Sequence, residues 1–471
     1  MPLILNMVDS VVAFDTQLLS YFSKKNILKL MLNSTLLSFT VAMVSCVVGG
    51  ALAMLFFALP KRLKQLYMGL LFLFFAIEPI IYLGAFFKIA LFEALNPFWQ
   101  TVITVSPSMM ALCGTLFIVA LSFINQESIR VGSMVASRRD VMRFIVKPQL
   151  LFTLLLAFFM VFIWIFTHSE VSSILGYRTY SEEFLAQINL MESIEQTAIA
   201  GLPFYLLALL FLAFLWGLSK KYHIKFYLKE QIESLVLAID KRVAIALFAF
   251  LVSLFLGILT LLGLKMNFAE LATLYEDNIE VLFNSLILAF GVSALSVGVS
   301  IFLYRMIKKH KIVVVLIFLL LLIPSELIGF EVIKIKQFIG FDNLWVEYLF
   351  FVLSSSLKLL PMGVGLVAIL YYKDIEDESL RFFSLSQMDI FLKITVPIYY
   401  SRWLLIWGVL VIFALNQLSI SVLLTPIGFE VMIIKIYNLL HYGDSVAVAF
   451  LSLMQIGVIV LILALLQRIK R

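Results

Sequence analysis

Runs of about twenty apolar residues, the length a helix needs to cross a bilayer, recur along this chain and decide its fold class. They fall near 33–59, 66–91, 106–125, 149–168 and 198–219, then near 243–264, 281–304, 312–333, 349–372, 399–420 and 446–467. In lipid each backbone polar group must be satisfied within the protein, so each run reads as a helix. The expectation is an all-α polytopic membrane protein with about eleven transmembrane helices. Composition agrees, because 63% of the 471 residues are apolar and 14% are charged, whereas soluble domains carry about 25% charged residues. A soluble enzyme, a nucleic-acid binder and a secreted disulfide scaffold are thereby excluded. Cys46 and Cys113 lie inside apolar runs, where thiols pack as small apolar groups rather than forming bridges or metal clusters. No cleavable signal peptide is expected, since Asp9 and Asp15 interrupt the first 22 residues.

Basic residues set the orientation. Most of the 35 Lys and Arg residues lie on alternate connections, among them Lys61–Lys64, Arg130–Lys147, Lys220–Arg242, Arg305–Lys311, Lys373–Arg402 and the tail. By the positive-inside rule these connections are cytoplasmic, which places the C-terminus inside and the N-terminus outside. Lys24, Lys25 and Lys29 run against this pattern.

The two halves repeat each other. NSTLLSFTVAMVS from Asn33 answers NSLILAFGVSALS from Asn284 at an offset of 251, and ESIR at Glu127–Arg130 answers ESLR at Glu378–Arg381 at the same offset. Pro79 with Gly84 answers Pro324 with Gly329, and Pro148 answers Pro397. Six spans separate equivalent points, and an even number makes the repeats parallel rather than inverted. The run at 243–264 has no counterpart, so five helices are expected in the first repeat and six in the second. Either the first half lacks its opening helix or its start is placed too late. The expected organisation is an outer segment at 1–32, a first repeat at 33–219, a cytoplasmic linker at 220–242 and a second repeat at 243–471.

Ionisable groups within apolar spans are costly and default to functional candidates. Glu78 and Glu326 lie beside Pro79 and Pro324, one before its proline and the other two residues after. His168 and Glu170 end their run where the second half has Gln417 and Ser419. These side chains either line a path through the membrane, with carboxylates and imidazole suiting a metal cation or its chelate, or they cap helix ends and carbonyls freed by the prolines. Tyr437, Asn438, His441 and Tyr442, before the last span, fit a protein-docking surface and an interfacial aromatic belt equally well. The sequence contains no GxxxxGK[ST] phosphate loop, so this chain does not hold ATP in that manner.

The cytoplasmic segments 126–148 and 373–397 carry a more specific signal. The second reads ESLRFFSLSQMDIFLKITVP, and it resembles the EAA loop of ABC-importer permeases, in which a Glu is followed by two small residues, a Gly six positions after the Glu and an Ile-x-Leu-Pro close, although Ser379/Leu380 here and Ser128/Ile129 in the first loop replace the small pair. Glu378, Arg381, Ser384, Ile394, Val396 and Pro397 carry the match, with Ser384 in place of the family's Gly. In the first loop Glu127, Arg130, Ser133, Ile145 and Pro148 correspond, with two extra residues after Ser133. Arg130 and Arg381 are similar to the variant in fused iron(III)-type permeases. ALNQLSISVLLTPIGFEVMIIKIYNLLHYGD from Ala414 also looks like the end of those chains. The resemblance implies a permease fold and a coupling helix in each loop, at 135–144 with Arg139 and at 385–392. It further implies two copies of a separate ABC ATPase subunit that holds ATP and Mg, an extracytoplasmic substrate-binding protein, and membrane lipid as surroundings, with no nucleic acid. The location would be a bacterial cell membrane, the inner one in a Gram-negative cell. The expected function is solute import with ferric iron as leading cargo, and with thiamine, phosphonate or polyamines as other cargoes of related chains. A secondary transporter driven by protons or sodium is the competing class; it would use paired intramembrane acids but leave the twin loops unexplained.

Overall fold

The computed structural model describes residues 25–122, 134–135, 137, 140, 143–144, 147–189, 194–221, 240–309, 311–340, 343–371 and 396–469. Among them the secondary structure is helical, with no strand. The longer helices are α1 (Lys25–Ala58), α2 (Lys61–Ala76), α3 (Pro79–Phe86), α4 (Pro97–Ser122), α5 (Lys147–Thr167), α6 (Glu170–Ile174), α7 (Tyr180–Asn189), α8 (Ile194–Lys221) and α9 (Lys241–Lys265). There follow α10 (Leu271–Lys309), α11 (Lys311–Leu322), α12 (Ser325–Ile339), α13 (Leu344–Tyr371), α14 (Val396–Ala414), α15 (Leu418–Leu424), α16 (Met432–Tyr442) and α17 (Ser445–Ile469).

Seven helices among the described residues are long and apolar enough to cross a membrane, or nine if two sharply bent pairs each count as one span. The expected runs at 198–219 and 312–333 are not among these helices of the described residues. In the first, α8 covers the whole run, and its stretch Ile199–Phe214 is apolar. In the second, Pro324 separates α11 from α12, and α12 carries Glu326, Glu331, Lys334 and Lys336. The run expected at 66–91 is likewise not straight: α2 and α3 meet at 85°. The bend follows from the sequence, since Pro79 has no N–H to continue the ladder and Glu78 before it is driven to extended geometry, with ψ 139°.

Contacts divide the chain into two units. Unit 1 holds residues 3–266 with 440–449; unit 2 holds 267–439 with 450–471. In unit 1, α1 packs against α4 and α5; in unit 2, α10 packs against α13 and α14 in the same way. The faces of α1 explain its place. Ser34, Ser38, Val41, Ala42 and Ser45 are buried along one stripe, whereas Leu28, Leu32, Leu36, Phe39, Met43 and Val47 are exposed along another. Small residues inside and large apolar ones outside are the reverse of a soluble helix, and suit close packing on one side and lipid on the other. Helix α10 repeats the pattern, with Ser285, Ala289, Val292, Ser293 and Ser296 buried and Phe283 and Ile287 exposed.

Helices α1 and α4 cross closely at Gly49. A Cβ there would lie 2.5 Å from Cys113 Cβ and 2.8 Å from the Gly114 nitrogen, so α1 and α4 touch backbone to backbone. In unit 2 the glycine is on the other helix: a Cβ on Gly363 of α13 would collide with the Ser300 hydroxyl of α10. The units also share two hydrogen bonds at the repeat offset. Asn33 Nδ2 donates to the Arg178 carbonyl (3.0 Å) and Asn284 Nδ2 to the Glu430 carbonyl (3.3 Å). The Tyr180 amide donates to Ser34 Oγ (2.8 Å) and the Met432 amide to Ser285 Oγ (2.7 Å).

Helix α9, which has no counterpart, belongs by its contacts to unit 1. It packs on α3, α1 and α2, where the rings of Phe248 and Phe255 meet Tyr67 and Phe74 at 5.9 and 5.6 Å between centroids. At its end Lys265 Nζ donates to the carbonyls of Gly84 (2.8 Å), Ala85 (2.9 Å) and Phe87, closing the C-terminus of α3. The charge complements the negative end of the helix dipole.

Candidate functional site

Each unit gathers its buried ionisable groups where an apolar helix breaks. In unit 1 there are two breaks, at Ile77–Glu78 between α2 and α3, and at His168–Ser169 between α5 and α6. Helices α3 and α6 are in contact, and this brings together residues about ninety positions apart in sequence. His168 Nδ1 lies 2.8 Å from Glu170 Oε2, and His168 Nε2 lies 4.0 Å from Glu78 Oε1. The three side chains are between 5 and 16% exposed. The Ser181 hydroxyl donates to the His168 carbonyl (3.1 Å), and the Ser108 hydroxyl to the Ile77 carbonyl beside Glu78 (3.1 Å), so both breaks are fixed from neighbouring helices. The Glu170 carboxylate lies against Nδ1 of the ring, and the other ring nitrogen faces Glu78.

Unit 2 builds its break differently. Lys358 of α13 donates through Nζ to the carbonyls of Ile323 (2.5 Å) and Leu321 (3.4 Å) at the end of α11. Its partner carbonyl Ile323 precedes Pro324 as Ile77 shortly precedes Pro79, so Lys358 takes the role that Ser108 has in unit 1. Glu326 is buried, 2% exposed, on the first turn of α12. Gln417, at the bend of 65° between α14 and α15, donates through Nε2 to the Ser355 carbonyl of α13 (3.1 Å).

Of the candidates read from sequence, Glu78, His168 and Glu170 therefore meet in one cluster, Glu326 is buried on the first turn of α12, and Gln417 bonds to a helix backbone. Lys358 and Lys265 were missed, although the signal was present: each is a lone lysine in or at the end of an apolar run. Glu127, Arg130, Ser133, Arg139, Glu378, Arg381, Ser384 and Ile394 lie outside the described residues. Pro148 and Pro397 each occupy the second residue of a helix, α5 and α14, a position where the missing N–H costs nothing. Of the first loop, Met134, Val135 and Phe144 are exposed, and Ser137 Oγ donates to Asp140 Oδ2 (2.6 Å).

Chemically, two carboxylates around one imidazole in a low-dielectric setting attract a cation or hold a proton. Among the described residues no three His, Cys, Asp or Glu side chains are grouped as ligands for one metal ion. No model of a known protein family matches the chain, and no curated protein or solved structure compared with it is significantly similar.

Proposed function

We propose that this chain is the membrane permease of an ATP-driven solute importer, with both permease halves fused. The observation that carries the reading is the twin ESIR and ESLR segment, each followed by a proline at the second residue of corresponding helices, Pro148 in α5 and Pro397 in α14. The exposed Met134, Val135 and Phe144 suit a handle that docks into a groove on another protein. In this reading two ATPase subunits hold ATP and Mg, engage loops 126–148 and 373–397, and draw them together. The movement alternates access to a path lined by Glu78, His168 and Glu170 and by Glu326 and Gln417. An extracytoplasmic binding protein delivers the cargo, a cationic solute with ferric iron tested first, across a bacterial cell membrane with the C-terminus inside.

The test is to purify the chain from native membranes and identify what accompanies it. A stoichiometric Walker-motif ATPase, lost on Glu378→Ala or a charge at Phe391, is the expected result. A second reading, a transporter driven by an ion gradient, is favoured by the buried Glu78–His168–Glu170 cluster. Purification alone, with solute movement under a proton gradient that fails in Glu78→Gln, would replace the first reading with the second.

A further inference from the structure

Unit 2 contains a cavity of about 610 Å³ between the first turns of α10, the α15–α16 connection and α16. Its charged lining is Asp277, Glu280, Glu430 and Lys435, with Asn284 and Thr425 among its neutral polar groups. Asp277 and Glu280 are three residues apart, hence on one helix face, exposed, and without an ion pair among the described residues. Glu430 is held in place, with its carboxylate 3.5 Å from Lys435 Nζ and its carbonyl accepting from Asn284. Three carboxylates face one ammonium, so the cavity selects for positive charge.

The other copy of this corner shows what kind of ligand is meant. The frame is the same in unit 1: the Asn–carbonyl and Ser–amide hydrogen bonds recur, and Gly176 and Gly428 both take positive φ, 71° and 84°. At the same offsets, however, three charges are reversed, while Asp277 answers the neutral Asn26. Glu280 answers Lys29, Glu430 answers Arg178, and Lys435 answers Glu183. A frame kept twice with its charges inverted is what a partner without the repeat's symmetry demands, since such a partner meets each copy with a different part of its surface. A small solute needs one site and gives no reason for the inversion.

We propose that the unit 2 cavity receives a lysine or arginine side chain of an extracytoplasmic protein docking on this corner. The proposal rests on the orientation used above, which places the start of α10 outside. Charge complementarity of this kind fixes register and speeds encounter more than it adds affinity.

Two measurements separate the proposal from that orientation. The first is labelling of Asn438→Cys in whole cells with a membrane-impermeant maleimide; Cys46 and Cys113 are buried and give little background. Labelling from outside is expected, and labelling only after permeabilisation would overturn the orientation. The second is titration of the full chain in lipid nanodiscs with acetyl-tetralysine amide, acetyl-tetraarginine amide and spermidine. The peptides are expected to bind in a salt-sensitive way. The double variant Asp277→Asn, Glu280→Gln should weaken binding about tenfold, the scale of two exposed ion pairs, and Glu183→Gln should leave it unchanged. Absence of peptide binding, or binding indifferent to the double variant, refutes the proposal. Spermidine displacing the peptides at lower concentration makes the cavity a small-solute site and refutes it equally.

Discussion

Ser34→Ala tests the bond that the two units share. Ser34 and Tyr180 are 1% and 0% exposed, and the Tyr180 amide donates to the Ser34 hydroxyl at 2.8 Å. Removing the hydroxyl leaves a main-chain N–H buried without its acceptor, at a cost of about 1–3 kcal/mol. Side-chain hydrogen bonds in membrane proteins average nearer 0.6 kcal/mol and reach about 1.7, because the unfolded chain in lipid also finds partners. A loss of about 1.5 kcal/mol is expected here, since no water reaches the amide. In a unit of this size that lowers the melting temperature by about 3–6 °C. The protein carries its own reporter: Cys46 and Cys113 are its two cysteines, both buried where α1 meets α4 in unit 1. A thiol-reactive dye therefore reads the opening of the unit that holds Ser34. Thr35→Ala is the control, because Thr35 is exposed and bonds only to the Met31 carbonyl one turn back. Ser285→Ala should reproduce the loss when helicity is followed. If Ser34→Ala melts within 1 °C of Thr35→Ala, the shared bond is not what holds α7 to α1.

Three further outcomes follow from the packing. Gly49→Ala places a Cβ 2.5 Å from Cys113 Cβ and should cost about 1–3 kcal/mol by overpacking, exposing the thiols at lower temperature; Gly50→Ala, with nothing within 4 Å, should not. Lys265→Met leaves three carbonyls at the end of α3 without their donor, so protease cleavage between Phe86 and Ile89 should become faster while α9 stays helical. Burial holds the Glu182 carboxyl above the usual carboxylate range, opposed by its bond at Thr179 and by Arg178. A raised native value means stability present at low pH and lost as pH rises from about 4.5 through the native value; Glu182→Gln should flatten the melting temperature across that window.

What was legible in the sequence divides along physical lines. Hydropathy marks a helix in lipid because every apolar residue counts, so the helical class and the repeat of 251 were readable from Asn33 and Asn284. The prolines announced the breaks, since a missing N–H acts locally. Hydropathy does not encode which neighbour a lipid-facing helix meets. The run at 243–264 reads as the opening of the second repeat, and its packing in unit 1 is not written in that pattern. The residue types of Glu78, His168 and Glu170 were readable, but their meeting depends on α3 touching α6, which no local pattern carries. Lys358 answers the carbonyls freed ahead of Pro324, a demand for a donor that hydropathy does not register.

The seat of α9 bears on what the covalent link between the halves accomplishes. A gene cut between Lys221 and Asp240 would yield two polypeptides, the second beginning with a helix whose packing partners and whose lysine's acceptor carbonyls both lie in the first. Such fragments are a ready-made complementation pair, joined as if by an exchanged arm. Co-expression should restore a complex that either fragment alone cannot form, and deletion of 240–266 from the second fragment should abolish it.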